Sequence, residues 1–182
     1  MRQQVLVLVG LPGAGKTTAS SFFCKKSIPV VKMGQVTHKL LQKRGLSTSE
    51  RNEHDLREYL RNKYGANIYA RKVIKKVQKE LTKHSVVIVE GVRSKEEIDY
   101  LKNKLIDLQI IFIKTAAATR YQRLLRRKIR PLMRNEIKQR DNYEKKLGLP
   151  KLESLAEYKV ENETSMTEFY TKLSDILNQI LN

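Results

Sequence analysis

The sequence predicts an α/β fold, a three-layer α/β/α domain built on a five-stranded parallel sheet. Three observations predict it. Short runs of uninterrupted apolar residues recur along the chain, separated by stretches with helical periodicity. These runs lack the polar alternation of a half-solvated sheet, so both of their faces need cover. The first run leads directly into a glycine-rich turn that opens a helix.

The elements follow in order. Residues 5–9 are a β-branched run bounded by Gly10 and Pro12, a buried strand. Residues 17–26 are helical, and 28–32 form a second short strand. Residues 36–43 and 50–83 are polar with helical periodicity, broken near Gly45 and Gly65. A third strand is expected at 86–89, a helix at 95–104 and a fourth strand at 108–113. A basic helix follows over 117–128, interrupted by Pro131. A charged helical stretch runs to about 146, and 148–150 make a break. Residues 158–160 form the fifth strand and 167–180 a closing helix. No repeat or linker divides the 182 residues, so they predict a single domain.

Lys and Arg number 37 against 19 Asp and Glu, for a net charge of +18. The charge is clustered. Residues 1–49 hold eight Lys or Arg and no acid, and residues 114–140 hold ten with Glu136 as the single acid. Two basic windows call for an anionic partner. Other classes drop out. Residues 5–9 are too short to span a membrane and no small-residue cleavage site follows them. The single Cys24 permits no internal disulfide and is expected in the core beside Phe22 and Phe23. His38, His54 and His84 do not cluster as metal ligands. Together these features predict a cytoplasmic chain.

Gly10-Leu11-Pro12-Gly13-Ala14-Gly15-Lys16-Thr17 fits the phosphate-loop pattern G-x-x-x-x-G-K-[ST], between strand and helix as its mechanism requires. Glycines let successive backbone N–H groups turn inward, and the helix N-terminus adds its dipole. Lys16 is expected on the β- and γ-phosphates of ATP, and Thr17 offers its hydroxyl to Mg²⁺. Glu90 ends an apolar strand, where a second group for Mg²⁺ belongs. A GTPase is disfavoured, because Asn103-Lys104 is followed by Leu105 and Ile106 rather than by the Asn-Lys-x-Asp pattern.

Further segments carry a resemblance. They are Met33-Gly34-Gln35, Glu90-Gly91-Val92-Arg93, the run Thr119 to Arg127, Arg140-Asp141 and Glu161-Asn162-Glu163. With the phosphate loop, they make the chain similar to the nucleoside monophosphate kinase superfamily, and most closely to archaeal adenylate-kinase-related proteins. The resemblance runs along nearly the whole chain. It implies a P-loop kinase fold with a helical monophosphate-binding insert at about 34–72 and a short lid at about 128–142. It implies ATP as donor with Mg²⁺, and a nucleoside monophosphate, AMP first, as acceptor. Gly10, Gly13, Ala14, Gly15, Lys16, Thr17, Thr18 and Asn162 are the implied ATP-binding residues. Gly34, His38, Arg57 and Arg93 are implied on the acceptor, and Thr17 and Glu90 on the metal. Lys16, Arg123, Arg127 and Arg140 are the implied catalytic cations.

The chain departs from the adenylate kinase pattern in three places. Gln35 stands where such kinases carry Asp, His38 where they carry Arg, and Glu90 where they carry Asp. Arg57 is a candidate to replace the lost charge. A phosphate acceptor is already a nucleophile and needs cations, whereas a hydroxyl acceptor gains from a base. The acid-free first window favours phosphate, with Glu90 or Asp55 left as possible bases. Two other readings stand beside this one: a P-loop ATPase whose surplus arginines bind RNA, and a nucleotide-binding protein with weak catalysis. Tyr59, Tyr64 and Tyr69 are expected to pack between insert helices.

Overall fold

The computed structural model describes residues 3–127 and 132–181. Five strands form one parallel sheet: β1 (Gln4–Val9), β2 (Val30–Lys32), β3 (Val86–Glu90), β4 (Leu108–Lys114) and β5 (Tyr158–Glu161). Their spatial order is β2-β3-β1-β4-β5. The helices are α1 (Lys16–Lys25), α2 (Gly34–Lys43), α3 (Glu50–Tyr64), α4 (Ile68–Leu81), α5 (Lys95–Lys102), α6 (Ala117–Leu125), α7 (Arg134–Lys146) and α8 (Met166–Leu181). A 3-10 turn covers Leu149–Glu153.

The continuous apolar strands are explained by two cores. Val5, Val7 and Val9 of β1 face one core with Leu56 and Leu60 of α3, Val73 and Val77 of α4, and Ile98 and Leu101 of α5. Leu6 and Leu8 face the other, with Ala19 and Phe23 of α1 and Phe169, Leu173 and Leu177 of α8. Successive side chains of a strand point to opposite faces, so a sheet covered on both sides has no polar position to spare. The predicted three-layer α/β/α fold is the observed one.

Sheet order places the site. β1 lies between β3 and β4, with Leu8 in register with Glu90 and Val9 with Phe112. The connection from β1 runs to β2 on one side while that from the neighbouring β3 runs to β4 on the other, and such a reversal opens a crevice beyond the strands' carboxyl ends. The phosphate loop, Glu90 and, from β2, Lys32 all emerge there, Lys32 being in register with Glu90.

Some expectations shift. Cys24 is exposed rather than buried, because the inward stripe of α1 is Ala19, Ser20 and Phe23. Tyr59 and Tyr64 are exposed too, while Tyr69 is buried. α6 ends at Leu125, short of the expected 128. Helices α2 and α3 and the first turn of α4 occupy the expected insert. Residues 128–131 of the expected lid lie outside the described residues, and 134–142 of it are the start of α7.

Candidate active site

A cavity of about 750 Å³ lies at the carboxyl ends of the strands. Gly10, Gly13, Gly15, Lys16, Thr17, Thr18, Gly34, His38, Arg57, Glu90, Arg93, Arg123, Arg127, Arg140 and Asn162 all line it. Of the expected site residues only Ala14 does not. It is fully buried, its N–H donates to the Leu11 carbonyl at 3.1 Å, and its carbonyl is taken by Asn162.

The loop is tight because its glycines leave no room for a side chain. At Gly13, with φ +81°, a Cβ would come within 2.7 Å of the Arg120 carbonyl oxygen. Lys16 reaches back over the loop, its Nζ donating to the carbonyls of Gly10 and, at 3.1 Å, Leu11. Burial pushes the Lys16 ammonium down to about 8, and the charges of Glu144 and Glu90 act against that shift. An anion in the loop would give this cation a partner and draw it off the carbonyls.

Glu90 meets the loop from β3. Its carboxylate accepts from Thr17 Oγ1 at 3.4 Å and from Ser20 Oγ at 2.6 Å. A hydroxyl and a carboxylate side by side are hard oxygen donors of the kind Mg²⁺ takes.

Asn162, expected among the ATP-binding residues, lines the cavity just after β5. Its side-chain amide donates to the Ala14 carbonyl at 2.8 Å, and its own carbonyl accepts from Arg123 Nη2 at 3.0 Å. It braces the phosphate loop from the end of β5. Arg123 keeps a buried Nη1 with no hydrogen-bond partner among the described residues, whereas Arg127 is exposed at the rim.

Opposite the loop lies a dense set of ion pairs. Arg57 pairs with Glu50 at 2.5 Å and Glu53 at 2.9 Å. Arg61 pairs with Glu97 at 2.8 Å, and its guanidinium stands 4.6 Å from the centre of the Tyr69 ring. Arg93 pairs with Glu144 at 2.8 Å. Arg140 pairs with Glu50 at 3.0 Å and Glu144 at 3.4 Å. Burial pushes the Arg93 guanidinium down to about 10, which leaves it charged at neutral pH. Burial alone would raise the Glu144 carboxyl, but Arg93, Arg140, Lys16 and Arg57 outweigh it and hold it below the usual carboxylate range. His38 stands 3.3 Å from Glu53.

Arg61, Glu53, Glu144 and Thr37 line the cavity without having been singled out in the sequence, and Tyr69, expected only to pack between helices, lines it too. Asp55, the insert acid named as a possible base, is exposed instead. A signal was present. Glu53, Arg57 and Arg61 recur at helical spacing beside Leu56 and Leu60, so charged residues share the buried stripe of α3.

Solved structures of two kinases share this fold. A shikimate kinase from Acinetobacter baumannii superposes with a TM-score of 0.56 at 21% identity, over 100% of this chain and 94% of that one. A sugar kinase from a Janibacter species does so with 0.62 at 12%, over 98% and 95%.

Residues 6–145 match the AAA domain family, and the chain belongs to it. It is also 31% identical over 178 residues to a UPF0200 protein of Hyperthermus butylicus, covering 97% of this chain and 94% of that one. A UPF0200 protein of Methanocaldococcus jannaschii is 33% identical over 177 residues, covering 96% and 89%. The chain therefore belongs to the archaeal UPF0200 family. A longer relative, a UPF0200/UPF0201 protein of Archaeoglobus fulgidus, is 32% identical, and the chain spans 56% of its length.

Proposed function

We propose that this protein is an ATP-dependent nucleoside monophosphate kinase of adenylate-kinase type, with AMP as the first-choice acceptor. The observation that carries the proposal is the arrangement of Arg57, Arg93 and Arg140 across the cavity from Lys16 and the phosphate loop. Phosphoryl transfer needs two anions brought together and their charge neutralised, which is work for fixed cations.

In this reading the loop amides and Lys16 hold the β- and γ-phosphates. Thr17 and Glu90 would hold Mg²⁺, which when bound neutralises charge on the same phosphate oxygens. Arg93, Arg140 and Arg57 orient the acceptor phosphate. One of its oxygens bonds to the γ-phosphorus as the bond from that phosphorus to the β–γ bridging oxygen breaks, giving ADP and a nucleoside diphosphate. Arg123 and Arg127 meet the charge that gathers on the transferring group.

One observation favours a second acceptor class. Glu53 and Glu144 bring carboxylates to the acceptor side from α3 and α7, so a base for a hydroxyl is within the cavity after all. ATP, Mg²⁺ and each nucleoside monophosphate, mixed with the purified protein, separate these readings. ADP formed from ATP and AMP supports the proposal. Transfer to a polyol or sugar alone supports the second class. ATP hydrolysis stimulated by RNA and indifferent to monophosphates supports the RNA-binding ATPase. No helix among the described residues is long and apolar enough to cross a membrane.

A further inference from the structure

The arginines of the acceptor side already have carboxylate partners, of which Glu53 and Glu144 line the cavity. Arg57, Arg61, Arg93 and Arg140 bring four positive charges, and Glu50, Glu53, Glu97 and Glu144 bring four negative ones. Such a set has no net charge with which to attract a phosphate. Three of the carboxylates answer a structural need. Glu97 accepts the Arg93 backbone N–H at 2.7 Å and holds Arg61. Glu50 and Glu53 hold Arg57 within their own helix.

Glu144 differs from these. It is 2% exposed, yet it lines the cavity. Its Oε1 atom lies 2.8 Å from Arg93 Nη1 and 3.4 Å from Arg140 Nε. Arg93 Nη1 has no well-directed hydrogen bond among the described residues despite that proximity. The carboxylate thus touches two of the three arginines given to the acceptor phosphate, and its charge acts on Lys16.

We infer that Glu144 is a resident anion on Arg93 and Arg140, which the acceptor's phosphate must displace, and that it selects dianionic acceptors over less charged ones. The inference rests on the phosphate-acceptor reading above. A carboxylate carries one charge. A phosphate monoester near neutral pH carries up to two, with three strong acceptor oxygens, and so outcompetes it for two guanidiniums. A singly charged or neutral acceptor does not. Glu144 rides on α7, directly after the expected lid, so displacement is coupled to movement of that helix or to a change of its rotamer.

The test uses the full chain saturated with Mg²⁺ and a non-hydrolysable ATP analogue, titrated calorimetrically with AMP and with adenosine 5′-sulfate, its singly charged counterpart. Wild-type protein is expected to prefer AMP strongly. Glu144→Gln is expected to bind AMP about tenfold more tightly, the scale of one charge-assisted contact, and to narrow the gap between AMP and the sulfate. Equal or weaker AMP binding, or an unchanged gap, overturns the inference and leaves the kinase reading standing. Failure of the wild type to bind any nucleoside monophosphate overturns that reading instead. Inorganic phosphate is then the probe, and unless Glu144→Gln binds it more tightly the inference falls as well. If Glu144→Gln does not fold, Glu144→Asp withdraws the carboxylate by one methylene and is expected to give a smaller tightening. No tightening there has the same meaning.

Discussion

Arg120 and Asp141 face each other in a buried two-bond pair, Nη1 to Oδ1 at 2.9 Å and Nη2 to Oδ2 at 2.7 Å, both residues 2% exposed. Arg120 Nη1 also donates to the Pro12 carbonyl at 2.9 Å. One guanidinium therefore ties α6 and α7 to the phosphate loop. Asp141→Ala leaves a buried charge without its partner and is expected to cost about 3 kcal/mol of stability. ATP affinity should fall with it, because the loop loses its tether. Thermal unfolding with and without ATP checks both effects; an unchanged melting temperature would remove the tether from the account.

Lys16 ties activity to pH. Its ordinary value is 10.5 and burial brings it to about 8. As pH rises through that value the free protein loses the charge that meets the phosphates, so kcat/KM for ATP should decline above pH 8. Stability moves the other way. Between about 8 and 10.5 the unfolded chain binds more protons at this group than the folded one, so its contribution to stability rises with pH. Lys16→Ala should abolish transfer and erase this part of the stability profile, read by pH-dependent unfolding.

Glu90→Gln tests the metal reading. Glutamine still accepts from the Ser20 hydroxyl, so the fold should hold, while the charge facing Mg²⁺ is gone. Transfer is expected to need a higher Mg²⁺ concentration. A Mg²⁺ titration that superposes on that of the wild type would argue against Glu90 as a metal group.

Arg127 and Arg123 should behave differently. Arg127 is exposed at the cavity rim, so Arg127→Ala should lower kcat by orders of magnitude with no loss of stability. Arg123 holds the Asn162 carbonyl, so Arg123→Ala should lower kcat and also loosen the brace on the loop. Steady-state kinetics beside melting curves separate the two, and unchanged kinetics in both variants would end their catalytic assignment.

The parts legible in sequence were those set by local rules. Apolar strands, the glycines of the phosphate loop and the acid ending β3 are each written within a few neighbouring residues. The acceptor side was legible only in part. Arg57 and Arg93 were named, but the carboxylates that hold them were not, because Glu50 and Glu144 are far apart along the chain and meet only through Arg140. That the Asn162 amide braces the Ala14 carbonyl was not legible, because the two residues stand 148 positions apart. Cys24 was misplaced by its aromatic neighbours, since one step along a helix turns a residue about 100° away from the core.

By itself the sequence determined the layered parallel fold, because period and polarity are local and a doubly covered sheet tolerates no polar face. It determined the phosphate loop too, since only glycine fits backbone so close to other backbone. Tertiary structure decided which charges oppose which. Ion pairing depends on distances of a few ångströms between groups remote in sequence, so a net charge of +18 gave no warning that four arginines and four glutamates would balance beside the phosphate loop.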